Sequence, residues 1–235
     1  MKVIIYKLPR YFLKIILVLL LIFLWTIVKT ELLFYKSIET TNPIYEFSTE
    51  KKAVAFTCNV AWGNEYLPKM LKVFEKNNVK ITFFIEGKWA EKYPELVKTI
   101  KNKGHEIGNH GYSHAHHAKL NLNENKEEIL KCEQVLFKII NEKTKLFAPP
   151  YGEFTKETIK AADELGYKVI MWSIDTLDWK NPGAQYIINK VTKKADNGKI
   201  ILMHPTKDII EALPIMIEKL KAKGFDIVPV GELLK

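Results

Sequence analysis

The sequence predicts a parallel α/β domain that closes like a barrel. Apolar strand-like segments alternate with helical patterns about seven times along the chain. The apolar runs are nearly continuous, which is typical of strands covered on both faces by helices. Polar residues also follow most of the predicted strands directly. This favours barrel-like closure over a doubly wound sheet, because barrels build their sites at the carboxyl ends of the strands.

The first half of the domain carries three strand patterns and three helical ones. A helical period of apolar residues predicts each helix, and Gly104 is expected to end the second. The predicted strands are 52–59, 79–85 and 106–110, and the predicted helices are 66–77, 88–101 and 123–141.

The second half continues the alternation. Gly166 and Gly224 follow two of the helical patterns, as glycines that terminate helices do. The predicted strands are a short one entering the turn 146–152, then 168–175, 199–204 and 226–230; the predicted helices are 155–165, 183–195 and 208–222.

An apolar stretch precedes the domain. Residues 11–28 are apolar except for Lys14 and Thr26, and four Lys or Arg residues lie at or before position 14. This pattern predicts a signal-anchor or transmembrane segment over 1–30, a stalk linker over 31–50 and the domain over 51–235. The domain is therefore expected outside the cytoplasm, attached to the cell membrane by a single span. A cleaved secretory signal is the alternative, although no Ala-x-Ala-like cleavage site follows.

Charge and cysteine content exclude some classes of protein. The net charge is +9, of which residues 1–52 contribute +4, with eight Lys or Arg and four Asp or Glu. The remainder is dispersed, which predicts attraction to anionic surfaces and no nucleic-acid partner. The two cysteines, Cys58 and Cys132, do not make a disulfide framework.

The segment 104–114 contains the clearest candidate site. His110 and His114 lie four residues apart just beyond a predicted strand. Neutral imidazole is a common metal ligand, so the pair can bind one side of a zinc-sized ion. The alternative is that both are ordinary polar loop residues.

Further candidates follow other predicted strands. These are Asn59 to Glu65, Ala148 to Gly152, Asp175 to Trp179, and His204. Singly, each has an ordinary explanation, such as helix capping for the aspartates. Together, histidines, acids and aromatics at one barrel mouth suit metal-assisted hydrolysis.

The domain resembles the polysaccharide deacetylase (NodB-homology) family of carbohydrate esterases, which remove acetyl groups from chitin, peptidoglycan and xylan. The resemblance is carried by His110-Gly-Tyr-Ser-His114, Ala148-Pro-Pro-Tyr-Gly152, Asp175-Thr-Leu-Asp-Trp179 and Leu202-Met-His204. The segment Thr57-Cys-Asn-Val60 occupies the place of the family's first motif, T-F-D-D, and the Trp62-Gly-Asn-Glu65 that follows resembles the variant first motif of the sporulation-associated branch. The resemblance implies a distorted (β/α)7-type barrel.

The resemblance also implies roles for individual residues. His110 and His114 would bind zinc or another divalent ion. His204 would be the general acid, held by Asp178, with Asp175 a weaker candidate. Tyr151 would stabilise the oxyanion through its backbone N–H. Substrate contacts would come from Pro150, Tyr151, Trp179 and Trp62.

The first motif departs from the family pattern. The family's general base and third metal ligand, both Asp, are here Asn59 and Val60, and the Arg paired with the base is Ala148. An amide cannot take a proton from water near neutral pH. Either Glu65 replaces the lost ligand or base, which leaves a weak metal-dependent deacetylase of cell-envelope glycan, or the domain is an inactive glycan-binding protein of the envelope or of sporulation.

Overall fold

The computed structural model describes residues 10–36 and 42–234. It divides the chain into two units, residues 1–40 and 41–235. In the first unit, helix α1 spans Arg10–Lys36, and the apolar side chains described from Tyr11 to Val28 are exposed. In the described part of the chain, no helix meets the length and apolarity that a membrane crossing needs. The predicted linker 31–50 includes residues 37–41, which lie outside the described residues.

The second unit is the predicted α/β domain. Its strands are β1 (Ala53–Val60), β2 (Thr82–Ile85), β3 (Glu106–Asn109), β4 (Leu146–Phe147), β5 (Lys168–Val169), β6 (Ile174–Asp175), β7 (Ile200–Met203) and β8 (Asp226–Val228). Its helices are α2 (Leu67–Lys76), α3 (Gly87–Lys92), α4 (Pro94–Asn102), α5 (Leu122–Ile140), α6 (Lys156–Glu164), α7 (Ala184–Lys194), α8 (Lys207–Ala222) and α9 (Val230–Leu233).

All the strand pairs are parallel, and the strands lie in the order β5-β4-β3-β2-β1-β7-β6, with β8 paired to the start of β1. The sheet is a curled half-barrel with helices. Strand β1 lies inside the sheet, between β2 and β7, and all eight of its residues are buried. This explains the nearly continuous apolar run, because both faces of the strand are covered.

Two predicted elements are wrong in detail. The helix predicted over 88–101 is two helices, α3 and α4, with Tyr93 between them and Pro94 opening the second. Proline lacks an N–H and is tolerated in a first helical turn, which makes it a start rather than an interior residue. The strand predicted over 168–175 is likewise two short strands, β5 and β6, which lie at opposite edges of the sheet.

A segment from the predicted linker joins the sheet. The N–H of Ile44 donates to the Val169 carbonyl, and the N–H of Phe47 donates to the Gly198 carbonyl, both at 2.9 Å. Gly198 has a positive φ of 74°, and a Cβ there would lie 1.9 Å from the Phe47 oxygen. Glycine is therefore required at this close approach.

Candidate active site

A pocket of about 320 Å³ opens at the carboxyl ends of the strands. Eight residues proposed from the sequence line it: Asn59, Trp62, His110, His114, Tyr151, Asp175, Trp179 and His204. Trp172 and Leu202 complete the lining. Parallel strands direct their carboxyl ends to one edge, so residues far apart in the chain meet there.

Three other predicted residues do not line the pocket. Asp178 is fully buried and contacts His204 from below the surface. Pro150 is buried at the start of a short 3₁₀ turn. Glu65 is exposed to solvent.

His110 and His114 lie at the floor and wall of the pocket, with ring centroids 5.1 Å apart and planes inclined at 71°. The Nδ1 of His110 lies 2.6 Å from the Ala148 carbonyl oxygen. A carbonyl only accepts, so Nδ1 carries the proton and Nε2 is left as an acceptor. Burial, followed by the neighbouring imidazole, lowers the pKa of His110 well below its usual value, and burial lowers the pKa of His114. Both rings are therefore neutral near pH 7.

Glu128 of α5 holds the loop between the two histidines. Its carboxylate accepts hydrogen bonds from the backbone N–H of Tyr112 at 3.1 Å, the backbone N–H of Ser113 at 2.8 Å and the Ser113 hydroxyl at 2.9 Å. Sequence reasoning missed this residue, because Glu128 is one of several acids on α5 and nothing local distinguishes it. The contact exists only once α5 packs beside β3.

A buried carboxylate orients His204. The Nδ1–H of His204 donates to Asp178 Oδ1 at 2.9 Å, and its backbone N–H donates to Oδ2 at 2.8 Å. The hydroxyls of Thr176 and Thr206 complete the shell of donors, at 3.0 and 3.2 Å. Trp62 stacks on the imidazole with ring centroids 5.9 Å apart and planes within 9°. These contacts fix the imidazole ring of His204 and engage its Nδ1, so Nε2 is the ring nitrogen left for a ligand in the pocket.

Tyr151 forms an exposed wall of the pocket. Its φ of 60° is unusual for a residue with a side chain. The ring lies parallel to His116, with centroids 4.1 Å apart, and meets the His114 ring edge-on at 4.6 Å. His116 in turn lies 2.8 Å from Glu153 through Nδ1. His116 and Glu153 were not identified from the sequence, because their contacts depend on the turn that carries Tyr151.

The variant first motif leaves the pocket short of acids and metal ligands. Asn59 is 5% exposed, and its Oδ1 has no hydrogen-bond partner among the described residues. Val60 is fully buried in the hydrophobic core, away from the pocket lining. Within the described ranges, no group of three His, Cys, Asp or Glu side chains is arranged to hold a metal ion. The residues present do not fit the three-ligand site that catalytic zinc needs.

Comparison with known families agrees with this architecture. The family model described as polysaccharide deacetylase matches residues 47–170. The chain belongs to the polysaccharide deacetylase family. A peptidoglycan-N-acetylglucosamine deacetylase of Bacillus cereus is 38% identical to it over 81% of this chain and 72% of the relative. The uncharacterized protein YlxY of Bacillus subtilis is 43% identical over 82% of this chain, but the match spans only 60% of that relative's length.

Among the similar solved structures is one of a pseudoenzyme. A CE4 family pseudoenzyme of Bacillus anthracis is 41% identical, with a TM-score of 0.81, covering 83% of this chain and 69% of its own. A mutant of that pseudoenzyme is described as having restored enzymatic activity. The deacetylase fold therefore occurs, at this level of identity, in both active and inactive relatives.

Proposed function

We propose that this domain binds amino-sugar polysaccharide of the cell envelope, peptidoglycan or a chitin-like glycan, and has lost efficient hydrolysis of the N-acetyl group. The observation that carries the proposal is the combination of an aromatic-walled pocket with a first motif that supplies neither base nor third metal ligand. The peptidoglycan deacetylases among its relatives support the class of ligand.

The aromatic walls are suited to sugar rings. Trp62, Tyr151 and Trp179 line the pocket and remain 43%, 56% and 49% exposed. Large aromatic side chains are costly to leave in water, and their faces pack well on the apolar face of a pyranose. Rings that served only the core would be buried.

The loss of hydrolysis follows from the chemistry of position 59. Deprotonating the attacking water needs a base, and the Asn59 amide has no site that takes a proton near pH 7. Glu65 was the predicted replacement, and it is exposed and outside the pocket lining. Its role as a ligand or base stays a prediction.

The Asp178–His204 pair favours a second candidate function, slow deacetylation. The buried carboxylate and its four donors would hold His204 ready to protonate a leaving amine. A protein selected for binding alone has no need of this arrangement. His110 and His114 supply only two of the three protein ligands that a catalytic zinc needs, which is why turnover in this candidate would be slow.

Binding and turnover are tested together with chitooligosaccharides and muropeptides. Calorimetry should detect glycan binding by the native chain, and Trp179→Ala should weaken it at least about tenfold. Phe137→Ala is the matched control, because Phe137 is a similarly exposed aromatic near the far end of α5. Binding that survives Trp179→Ala unchanged would refute the assigned pocket.

Acetate release separates the two candidates. With binding established, the first candidate expects no release above the buffer rate. The second expects slow release that His204→Ala abolishes. Release indifferent to His204→Ala would show that the catalytic residue has been misassigned.

We also propose that the domain acts outside the cytoplasm. The support is the apolar N-terminal segment with its preceding basic residues and the location of peptidoglycan. Protease added to intact spheroplasts should digest the domain, whereas a domain protected until lysis would refute the location.

A further inference from the structure

The charge of the pocket differs from that of the protein. The chain has a net charge of +9, yet none of the ten described residues lining the pocket is Lys or Arg, and one is Asp175. Ala148 occupies the position of the family's arginine. Lys180 places its ammonium over the Trp179 ring, 4.8 Å from the centroid, outside the lining set. The pocket is therefore poor in cations within a basic protein.

The described lining of the pocket also includes three hydrogen-bond acceptors without a donor. Asp175 Oδ1 accepts the Leu177 N–H at 2.7 Å, and its Oδ2 has no partner in the described part of the chain. Asn59 Oδ1 is similarly without a donor. The geometry of His110 leaves Nε2 as an acceptor, since Nδ1 donates to Ala148. In the free protein such acceptors bind water, and a ligand that displaces this water must supply donors of its own.

An ammonium group supplies such donors. It carries a positive charge and three N–H donors, whereas an N-acetyl group is neutral, has one N–H and brings a carbonyl that itself needs a donor. Charge-assisted bonds to a carboxylate are the stronger kind. The exposed aromatic side chains of the pocket would pack against the sugar ring that carries the ammonium.

We propose that the pocket recognises a de-N-acetylated amino sugar within a glycan, through its free ammonium group. The inference rests on the proposed glycan-binding function and names the form of the sugar that is bound. Hydrolytic removal of acetate from the glycan is the class of reaction that must supply this ligand. The domain would then bind glycan that an active deacetylase has already modified.

The experiment compares two ligands on the native full-length chain. Calorimetry at pH 7 and 0.15 M salt is run with a β-1,4-linked glucosamine tetramer and with the same tetramer after chemical N-acetylation. We expect the free amine to bind at least about tenfold more tightly. The net charge of the protein repels a cationic ligand, so overall attraction cannot produce this preference.

Two isosteric variants locate the recognition. Asp175→Asn removes the charge but keeps an oxygen for the Leu177 N–H, so it should reduce the preference to about threefold or less. Asp226→Asn makes the same change at an exposed position at the start of β8, at the opposite end of the strands, and should leave the preference intact.

The outcomes separate this inference from the proposed function. Equal or tighter binding of the acetylated tetramer would overturn the inference and leave glycan binding standing. Absence of binding to both tetramers, and to muropeptides, would overturn the two together. An unchanged preference in Asp175→Asn would refute recognition by that carboxylate.

Discussion

His105 should make the stability of the domain depend on pH in a way that one variant can isolate. The side chain is 3% exposed, its Nδ1 accepts the Ile81 N–H at 3.2 Å, and its ring packs edge-on against Phe74 and Phe83. Burial, followed by the positive charges of Lys80 and Lys103, lowers the pKa of His105 from 6.5 to about 4. The folded state therefore keeps this imidazole neutral.

The sign follows from proton binding. Between pH 6.5 and 4 the unfolded chain protonates this histidine and the folded chain does not, so acid stabilises the unfolded state. The stability that neutral His105 provides is fully present above pH 6.5 and is lost as the pH falls towards 4. The loss is about 2 kcal/mol at pH 5 and about 3 kcal/mol at pH 4 relative to pH 7.5.

His105→Asn isolates this contribution from the other buried histidines. Asn keeps an acceptor near the position of Nδ1 but does not titrate, and its smaller size costs about 1–3 kcal/mol at every pH. Urea unfolding should show that the free energy of unfolding of the native chain, relative to that of the variant, falls by about 3 kcal/mol between pH 7.5 and pH 4. Because burial is the main cause, the convergence should persist in 0.5 M salt.

A constant difference between the two proteins across this pH range would refute the reasoning. So would a native chain that gains stability over the variant as the pH falls. The first result would mean that His105 takes up a proton equally well in the folded and unfolded states, and the second that the folded state takes it up more readily.

Three further predictions concern the pocket and its support. Val60, at the position of the family's third ligand, lies in the core, whereas Asn59 lines the pocket with His110 and His114. Asn59→Asp therefore adds a carboxylate to this lining, and the variant should retain zinc after dialysis at a level that the native chain does not reach; equal retention, measured by metal analysis, would contradict this. Asp178→Ala leaves four donors without their acceptor and should lower the free energy of unfolding by about 2–4 kcal/mol; a loss below about 0.5 kcal/mol in urea denaturation would be too small for a buried acceptor. Gly198→Ala sets a methyl group 1.9 Å from the Phe47 oxygen at a positive φ, and should lower the melting temperature by several degrees; an unchanged melting temperature would show that residues near 47 do not stabilise the domain.

Local patterns were sufficient for most of the secondary structure. The nearly continuous apolar run of β1 and the helical periods of α2, α5 and α8 each predicted the right element, because burial on one or both faces leaves a pattern in the sequence. The apolar pattern was not sufficient where two short strands follow each other closely in the chain. The stretch 168–175 is mostly apolar whether it forms one strand or two, and only the sheet order separates β5 from β6.

The candidate site was predictable to the extent that its residues follow strand ends. His110, Asp175 and His204 could be grouped because parallel strands share an edge, and they line one pocket. The sequence could not distinguish the histidines of the pocket from those with a structural role. His105 lies five residues before His110 and is a core residue, and His116 supports a tyrosine ring.

The sequence by itself determined the alternation of strands and helices, the family and the loss of the base at position 59, since these depend on residue type and order. Only the tertiary structure decided which groups share the pocket: that Glu65 stays outside it, that Asp175 lines it, and that Glu128 secures the histidine loop. The physical reason is distance. Hydrogen bonds act over about 3 Å between groups that the chain separates by many residues, and packing alone brings them that close.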